Sequence, residues 1–319
     1  MKLLIYGGLL SLLLSFVLGL IVIPILRKIK AGQPILKYVK EHADKNGTPT
    51  MGGLFFITSA IIVFAVLGGF SERIATVSAV IGLAYMAVGF LDDFIKIKLK
   101  HNEGLKAYQK VGFQIIIASI AGIFSFKNGI TEFYIPFTAK SIDFGVFTIP
   151  FVAFIFIAIT NSVNLTDGID GLAGSVSVVY LIFIVALINV QAGIINYGQV
   201  ELLSVCLIGA TLGFLIFNQS KAKVFMGDTG SLSLGGFIGA ISIFTSNSMF
   251  IPVIGIMFVL SSISVIIQVI YYKKTKKRVF LMAPLHHHFQ LKGRTETQIT
   301  YCYTLITALM GMLSLIAYL

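Results

Sequence analysis

Charge is what this sequence has least of. Only 12% of its 319 residues are Asp, Glu, Lys or Arg, about half of the roughly 25% found in soluble domains. The remainder is 57% hydrophobic, with a mean hydropathy of +0.95. A soluble core of this size could not hide so much apolar surface, so the composition excludes a soluble globular protein and predicts an integral membrane protein of many spans. Cysteine is nearly missing. Cys206 and Cys302 both lie inside apolar runs, with no CxxC and no Cys/His metal spacing. That excludes a disulfide framework and a zinc cage, and both thiols read as buried small hydrophobes. The N-terminal apolar run, 3–25, has one Lys before it and no small-residue cleavage site. It reads as a retained first span rather than a removed signal. No inverted repeat of the transporter kind is visible.

About twenty apolar residues cross a bilayer as helix. On that criterion spans fall near 3–26, 52–70, 74–94, 111–126, 149–163, 171–190, 200–217, 232–246, 249–272 and 299–319. The predicted fold is an all-α polytopic bundle of about ten transmembrane helices in a single domain, 1–319. A short hairpin is expected at 133–147, where β-branched and aromatic residues flank a polar middle. Alternate loops must lie on opposite sides. The connections near 27–51, 95–110, 164–170, 218–231 and 273–298 carry all but Lys2, Arg73, Lys127 and Lys140 of the 24 basic residues. The positive-inside rule makes that side cytoplasmic, with both termini and the hairpin outside. The net charge of +11 is therefore topological, and nucleic acid is not an expected partner.

Every dense polar cluster falls on the same predicted cytoplasmic face. The stretch Lys-Asn-Gly-Thr-Pro-Thr-Met-Gly-Gly at 45–53 brings glycine amides to a helix start, where Lys45 and Thr50 could hold phosphate. A Pro-containing cap would use the same residues. Asp92 and Asp93 end the third span, followed by Lys96, Lys98 and Lys100 and further on by Lys110 and Gln114. Neighbours on a helix point about 100° apart, so one Asp could bind metal or act as base while the other pairs with lysine. A solvated helix end with an Asp92–Lys96 pair is the alternative. Asn164, Asp167 and Asp170 recur every three residues and share a face in a helical turn. No basic residue lies nearby in sequence, which leaves metal, substrate donors or distant lysines as partners, or a merely capped turn. Asp228 is the one carboxylate of the stretch 218–231. It sits among glycines that could bring it to a Mg²⁺ shared with phosphate oxygens, or it caps the eighth span. His286, His287 and His288 stand together in the most basic loop, suited to phosphate contact or proton transfer, or to a metal-binding tract. Together these groups predict Mg²⁺-dependent phosphoryl chemistry at the membrane surface. A transporter would instead place charge at mid-membrane, where this sequence has almost none.

In these motifs the chain resembles the bacterial phospho-N-acetylmuramoyl-pentapeptide transferases, within the polyprenyl-phosphate N-acetylhexosamine-1-phosphate transferase superfamily. The motifs are Gly-Thr-Pro-Thr-Met-Gly-Gly at 47–53, Leu-Asp-Asp at 91–93, Asn-Leu-Thr-Asp-Gly-Ile-Asp-Gly at 164–171, Phe-Met-Gly-Asp-Thr-Gly-Ser at 225–231 and Ala-Pro-Leu-His-His-His-Phe-Gln-Leu-Lys-Gly at 283–293. The last separates this branch from relatives acting on UDP-N-acetylglucosamine. The resemblance implies transfer of phospho-N-acetylmuramoyl-pentapeptide from its UDP-activated form to undecaprenyl phosphate, giving lipid I and UMP, with Mg²⁺, at the bacterial plasma membrane. It implies Asp228 as metal ligand, Asp92 as the residue that deprotonates or positions the lipid phosphate, and Asp93 as its support. Asn164, Asp167, Asp170, Asn218 and Phe225 would hold the nucleotide, with Phe225 on the uracil. Lys45, Thr50, Lys110, Gln114 and the three histidines would meet substrate phosphate or sugar. The family often has Glu where Gln290 stands and an aromatic where Arg294 stands. UDP-N-acetylmuramoyl-pentapeptide, undecaprenyl phosphate and the lipid bilayer are the expected partners, and a homodimer is left open.

Overall fold

The computed structural model describes residues 1–29, 47–99, 104–138, 140–191 and 197–316. Lys45 lies outside them. In hydrocarbon every backbone polar group must bond within its own segment, and the apolar runs accordingly fold as helices. These are α1 (Lys2–Lys28), α2 (Gly53–Val66), α3 (Arg73–Leu99), α4 (Ala107–Lys127), α5 (Thr148–Thr166), α6 (Leu172–Gln191), α7 (Gly198–Asn218), α8 (Gly227–Phe244), α9 (Ile251–Ile254), α10 (Ile256–Thr275), α11 (Leu285–Leu291) and α12 (Glu296–Ile316). The protein is an all-α polytopic membrane protein, and among the described residues the one sheet is a small hairpin.

Among the described residues eight helices are long and apolar enough to cross a bilayer: α1, α3, α4, α5 with its preceding turn, α6, α7, α10 and α12. Two expected spans differ from these. Helix α2 has 14 residues, a rise of about 21 Å against a hydrocarbon core of about 30 Å. Helix α8 has 18 residues and is rich in Gly and Ser, and every residue from Thr229 to Phe244 is buried. It is a central post packed by α3, α5 and α2, and its composition suits close helix contact rather than lipid. The expected span 249–272 is broken at Gly255 into α9 and α10.

The hairpin forms as expected. Strands β1 (Glu132–Tyr134) and β2 (Ser141–Asp143) run antiparallel, with Phe133 opposite Ile142. Phe133 is buried against Phe144 and Phe151, at centroid distances of 5.8 and 5.1 Å. Cys206 is buried as the sequence suggests, but Cys302 is exposed. It lies on α12, whose outer face meets the bilayer, so an apolar run did not mean a protein interior there. The same holds for Leu13, Ile120 and Leu309, all exposed. Solvation by lipid removes the link between hydropathy and burial.

Candidate active site

Helix α8 begins inside the protein, and its first turn gathers the site. Its backbone N–H groups have no intrahelical partner, and the cap comes from a different helix. Asp93 Oδ2, on α3, accepts from Thr229 N at 2.9 Å and Thr229 Oγ1 at 2.7 Å. Gly227 enters this turn at φ +71, and a Cβ there would stand 2.5 Å from Asp93 Oδ2 and 2.7 Å from Thr50 Oγ1. Glycine is required both for its backbone and for the space. On the other side the segment before α2 is stitched to the same turn. Phe225 N donates to Pro49 O at 2.8 Å, Gly52 N to Phe225 O at 2.9 Å and Gly53 N to Met226 O at 3.0 Å.

Asp228 projects from this turn into a network of charge. Its Oδ2 accepts from Lys110 Nζ at 2.8 Å and Lys96 Nζ at 3.0 Å, and its Oδ1 from Asn164 Nδ2 at 2.7 Å. Lys96 also pairs with Asp92 Oδ2 at 2.6 Å. Asp92 Oδ1 in turn accepts from Leu105 N at 2.9 Å. Adjacent on α3, the two aspartates do face different ways. Asp93 caps α8 through its Oδ2, while Asp92 shares a lysine with Asp228. Asp92, Asp93 and Asp228 offer carboxylate oxygens all within 4.8 Å of one another. A hard divalent cation takes oxygen ligands of this kind, so the donor set fits the metal expected from the sequence.

Beside the carboxylates lies a cavity of about 250 Å³, lined by Thr50, Lys96, Asn164, Asp167, Asp170, Asn218, Phe225 and Asp228 with the Gly168–Ile169 backbone. Helix α5 stops at Thr166, so the helical face expected to carry Asn164, Asp167 and Asp170 does not form, and the three reach one cavity through the turn that follows. Their tasks differ. Asn164 serves Asp228. Asp170 Oδ2 accepts from Ala222 N at 2.9 Å and holds the 219–226 loop in place. The Asp167 carboxylate accepts no hydrogen bond from any described residue, and burial, followed by repulsion from Asp228, Asp93 and Asp170, pushes its pKa well above the usual range. Such a group gains from a donor delivered by a ligand.

Two expected substrate residues are occupied elsewhere. Asn218 is buried, with Oδ1 accepting from Gly171 N at 3.0 Å and Nδ2 donating to Val224 O at 2.9 Å. It lines the cavity while its amide holds the wall together. Gln114 is fully buried and exchanges amide hydrogen bonds with Asn161, at 2.8 and 3.4 Å. It does not line the cavity.

The histidines ride on α11, which follows the turn 279–284. His288 Nδ1 accepts from Leu281 N at 3.1 Å and braces this turn. His286 is fully buried, with neither ring nitrogen hydrogen-bonded to a described residue, and burial, helped by His287, holds its pKa well below the ordinary 6.5. His286 and His287 stack edge to face at 4.3 Å. Both turn Nε2 toward Gly168 on the cavity wall.

Lys96, Gln290 and Glu296 were outside the residues expected at the site. Lys96 was legible as the i+4 partner of Asp92, but its second partner lies 132 residues away. Glu296 Oε2 accepts from Asp170 N at 3.0 Å, and its Oε1 from Gln290 Nε2 at 3.2 Å. No sequence pattern announced that.

Fold and site together describe a polytopic membrane protein with a buried carboxylate and lysine cluster beside a polar cavity, and the comparisons give its class. Residues 74–246, more than half of the chain, match glycosyl transferase family 4, and residues 45–57 match phospho-N-acetylmuramoyl-pentapeptide-transferase signature 1. The chain is 41% identical to a phospho-N-acetylmuramoyl-pentapeptide-transferase of Clostridioides difficile, over 98% of this chain and 97% of the relative. It is 42% identical to that of Clostridium novyi (99% and 98%) and 39% identical to that of Desulfitobacterium hafniense (97% and 96%). The chain belongs to the phospho-N-acetylmuramoyl-pentapeptide-transferase family.

Proposed function

We propose that the chain transfers phospho-N-acetylmuramoyl-pentapeptide from UDP to undecaprenyl phosphate, giving lipid I and UMP, with its site on the cytoplasmic face of a bacterial plasma membrane. The observation that carries this reading is the meeting of Asp92, Asp93 and Asp228 with Lys96 and Lys110 beside a polar cavity, in a chain similar to such transferases end to end. Ten crossings with both termini outside are part of the reading. In it α2 and α8 complete the count because neighbouring helices, not lipid, cover α8.

In the proposed reaction an oxygen of the lipid phosphate attacks the β-phosphorus of the nucleotide sugar in line. The bond to the bridging oxygen breaks, and UMP leaves with that oxygen. Asp92 orients the incoming phosphate and takes its proton if it arrives protonated. Lys96 and Lys110 turn from Asp228 to the phosphate oxygens as charge builds there. Asp167 receives a donor of the nucleotide, and Phe225 offers a ring for the base to stack on. Asp228, with Asp92 and Asp93 beside it, would hold Mg²⁺, which supplies charge neutralisation at the pyrophosphate. Asn164 keeps the Asp228 carboxylate aimed.

The test is UMP release by purified protein supplied with undecaprenyl phosphate and either UDP-N-acetylmuramoyl-pentapeptide or UDP-N-acetylglucosamine. Release with the first alone is expected. Release with UDP-N-acetylglucosamine alone would overturn the assignment.

A further inference from the structure

Lys110 and Asn164, which bring Nζ and Nδ2 to the two oxygens of Asp228, stand on different helices, α4 and α5. Each has an amide one turn behind it. Gln114 follows Lys110 by four residues on α4, and Asn161 precedes Asn164 by three on α5, spacings that share a helix face. The two amides bond to each other. Asn161 Nδ2 donates to Gln114 Oε1 at 2.8 Å, and Gln114 Nε2 donates to Asn161 Oδ1 at 3.4 Å. The backbone sets their orientation. Asn161 Nδ2 also donates to Ile157 O at 2.8 Å, and a carbonyl oxygen only accepts, so the Asn161 NH₂ must face that way. Gln114 then has to answer with its carbonyl. Tyr85, on α3, donates its hydroxyl to Gln114 O at 3.4 Å and stacks its ring on Phe156 of α5 at 5.8 Å. Asp92 lies about two turns further along α3. The helices that carry Asp92, Lys110 and Asn164 are thus joined at one level.

Apolar contact alone leaves two helices free to slide, because burial is non-directional. A paired amide does not, since its partners find no water in hydrocarbon once they separate. We propose that Gln114 and Asn161 are positioning residues whose reciprocal amide pair sets the register of α4 against α5, so that Lys110 and Asn164 converge on Asp228. In coiled coils a single buried polar residue sets register in the same way. The family resemblance would give Gln114 to the substrate, yet its side chain is fully buried and both ends of its amide are engaged. The effect on turnover rests on the transferase reading, whereas the register does not.

Four variants separate register from stability and from substrate contact. Gln114→Met and Asn161→Leu each leave one amide of the pair without its partner, and both should lower the melting temperature. In the double variant Gln114→Met/Asn161→Leu no amide is orphaned, so the melting temperature should recover, while the register stays unspecified. In the exchange Gln114→Asn/Asn161→Gln one side chain loses the methylene that the other gains, and the pair re-forms. The kcat for UMP release should fall about ten- to a hundredfold in the first three, the scale of a small misplacement of reacting groups. KM for the nucleotide sugar should move less than about twofold. The exchange should recover most of kcat. ¹⁵N-asparagine-labelled protein in detergent reads the register without turnover, through the side-chain amide of Asn164, assigned by its loss in Asn164→Ala. That signal should shift in Gln114→Met/Asn161→Leu and return to its parent position in the exchange.

The parent's kcat in Gln114→Met/Asn161→Leu overturns the proposal, as does an exchange no faster than that variant. A raised KM in Gln114→Met beside an unchanged Asn161→Leu would return Gln114 to the substrate and overturn it too. If either single variant does not fold, the two double variants decide, because neither leaves an amide unpaired. A parent without UMP release would overturn the transferase reading, and the Asn164 signal would still judge the register. Unmoved in Gln114→Met/Asn161→Leu, it overturns the role of the pair.

Discussion

Asp93 on α3 accepts the backbone N–H and the hydroxyl of Thr229 on α8 with one carboxylate oxygen. The most acidic stretch of the site thus contains a residue that caps the start of a helix. Asp93→Ala leaves two buried donors of Thr229 without an acceptor, one of them the N–H that the cap satisfies, each costing roughly 1–3 kcal/mol. Asp92→Asn keeps an acceptor for Leu105 N and should fold normally, while turnover falls about 10²–10⁴-fold, as for loss of a general base. Thermal unfolding in detergent separates the two. A melting temperature unchanged in Asp93→Ala would remove the capping role.

Asp228 is the carboxylate on which both lysines converge. Asp228→Asn removes the negative charge while leaving an acceptor for Asn164. The expected outcome is loss of UMP release at every Mg²⁺ concentration, with nucleotide binding measurable by calorimetry. Activity restored by added Mg²⁺ would mean that Asp228 tunes affinity only, and activity at ordinary Mg²⁺ would take it out of the metal role.

The parts of this site legible in the sequence are those where one residue type serves one purpose. Asn164, Asp167 and Asp170 do line one cavity, though through a turn rather than the helical face their spacing suggested, and the adjacency of Asp92 and Asp93 implied that they would diverge. The hairpin also formed where β-branched and aromatic residues around a polar middle placed it. Contacts that depend on tertiary closure were invisible. Nothing near Lys96 points to Asp228, and nothing near Gln114 points to Asn161, because each partner comes from another helix. Helix α8 shows a different limit of hydropathy. Its Gly and Ser content lowers hydropathy just where burial is greatest, since packing between helices selects small residues and lipid exposure selects large ones. Cys302 is the mirror case, apolar in sequence and exposed in the structure.

His286 gives the stability of the site a pH dependence of known sign. Burial lowers its pKa in the folded state from an ordinary value of 6.5. The unfolded chain therefore binds a proton that the folded chain refuses. Its contribution is fully present above about pH 6.5 and is lost as the pH falls toward the folded value. The melting temperature of the parent should fall between about pH 7 and pH 5, and the fall should be shallower in His286→Asn. Parallel curves for the two proteins would show that the ring is solvated when folded.

Gly168 is where the histidine helix touches the cavity. A methyl group there would collide with His286 Nε2 and stand 3.1 Å from His287 Nε2. His286 has little room to retreat, since the Tyr303 ring lies 6.5 Å away and both side chains are buried. Gly168→Ala should therefore cost about 1–3 kcal/mol, the range for overpacking, and push α11 away from the acidic turn, with loss of turnover. Adding His286→Ala makes room for the methyl group. The two substitutions are in contact and should be strongly non-additive. Gly168→Ala lowers the melting temperature, and the second change recovers part of it without restoring turnover, because the histidine helix has lost a ring from its cavity face. Additive effects in that cycle would show that His286 and Gly168 do not meet.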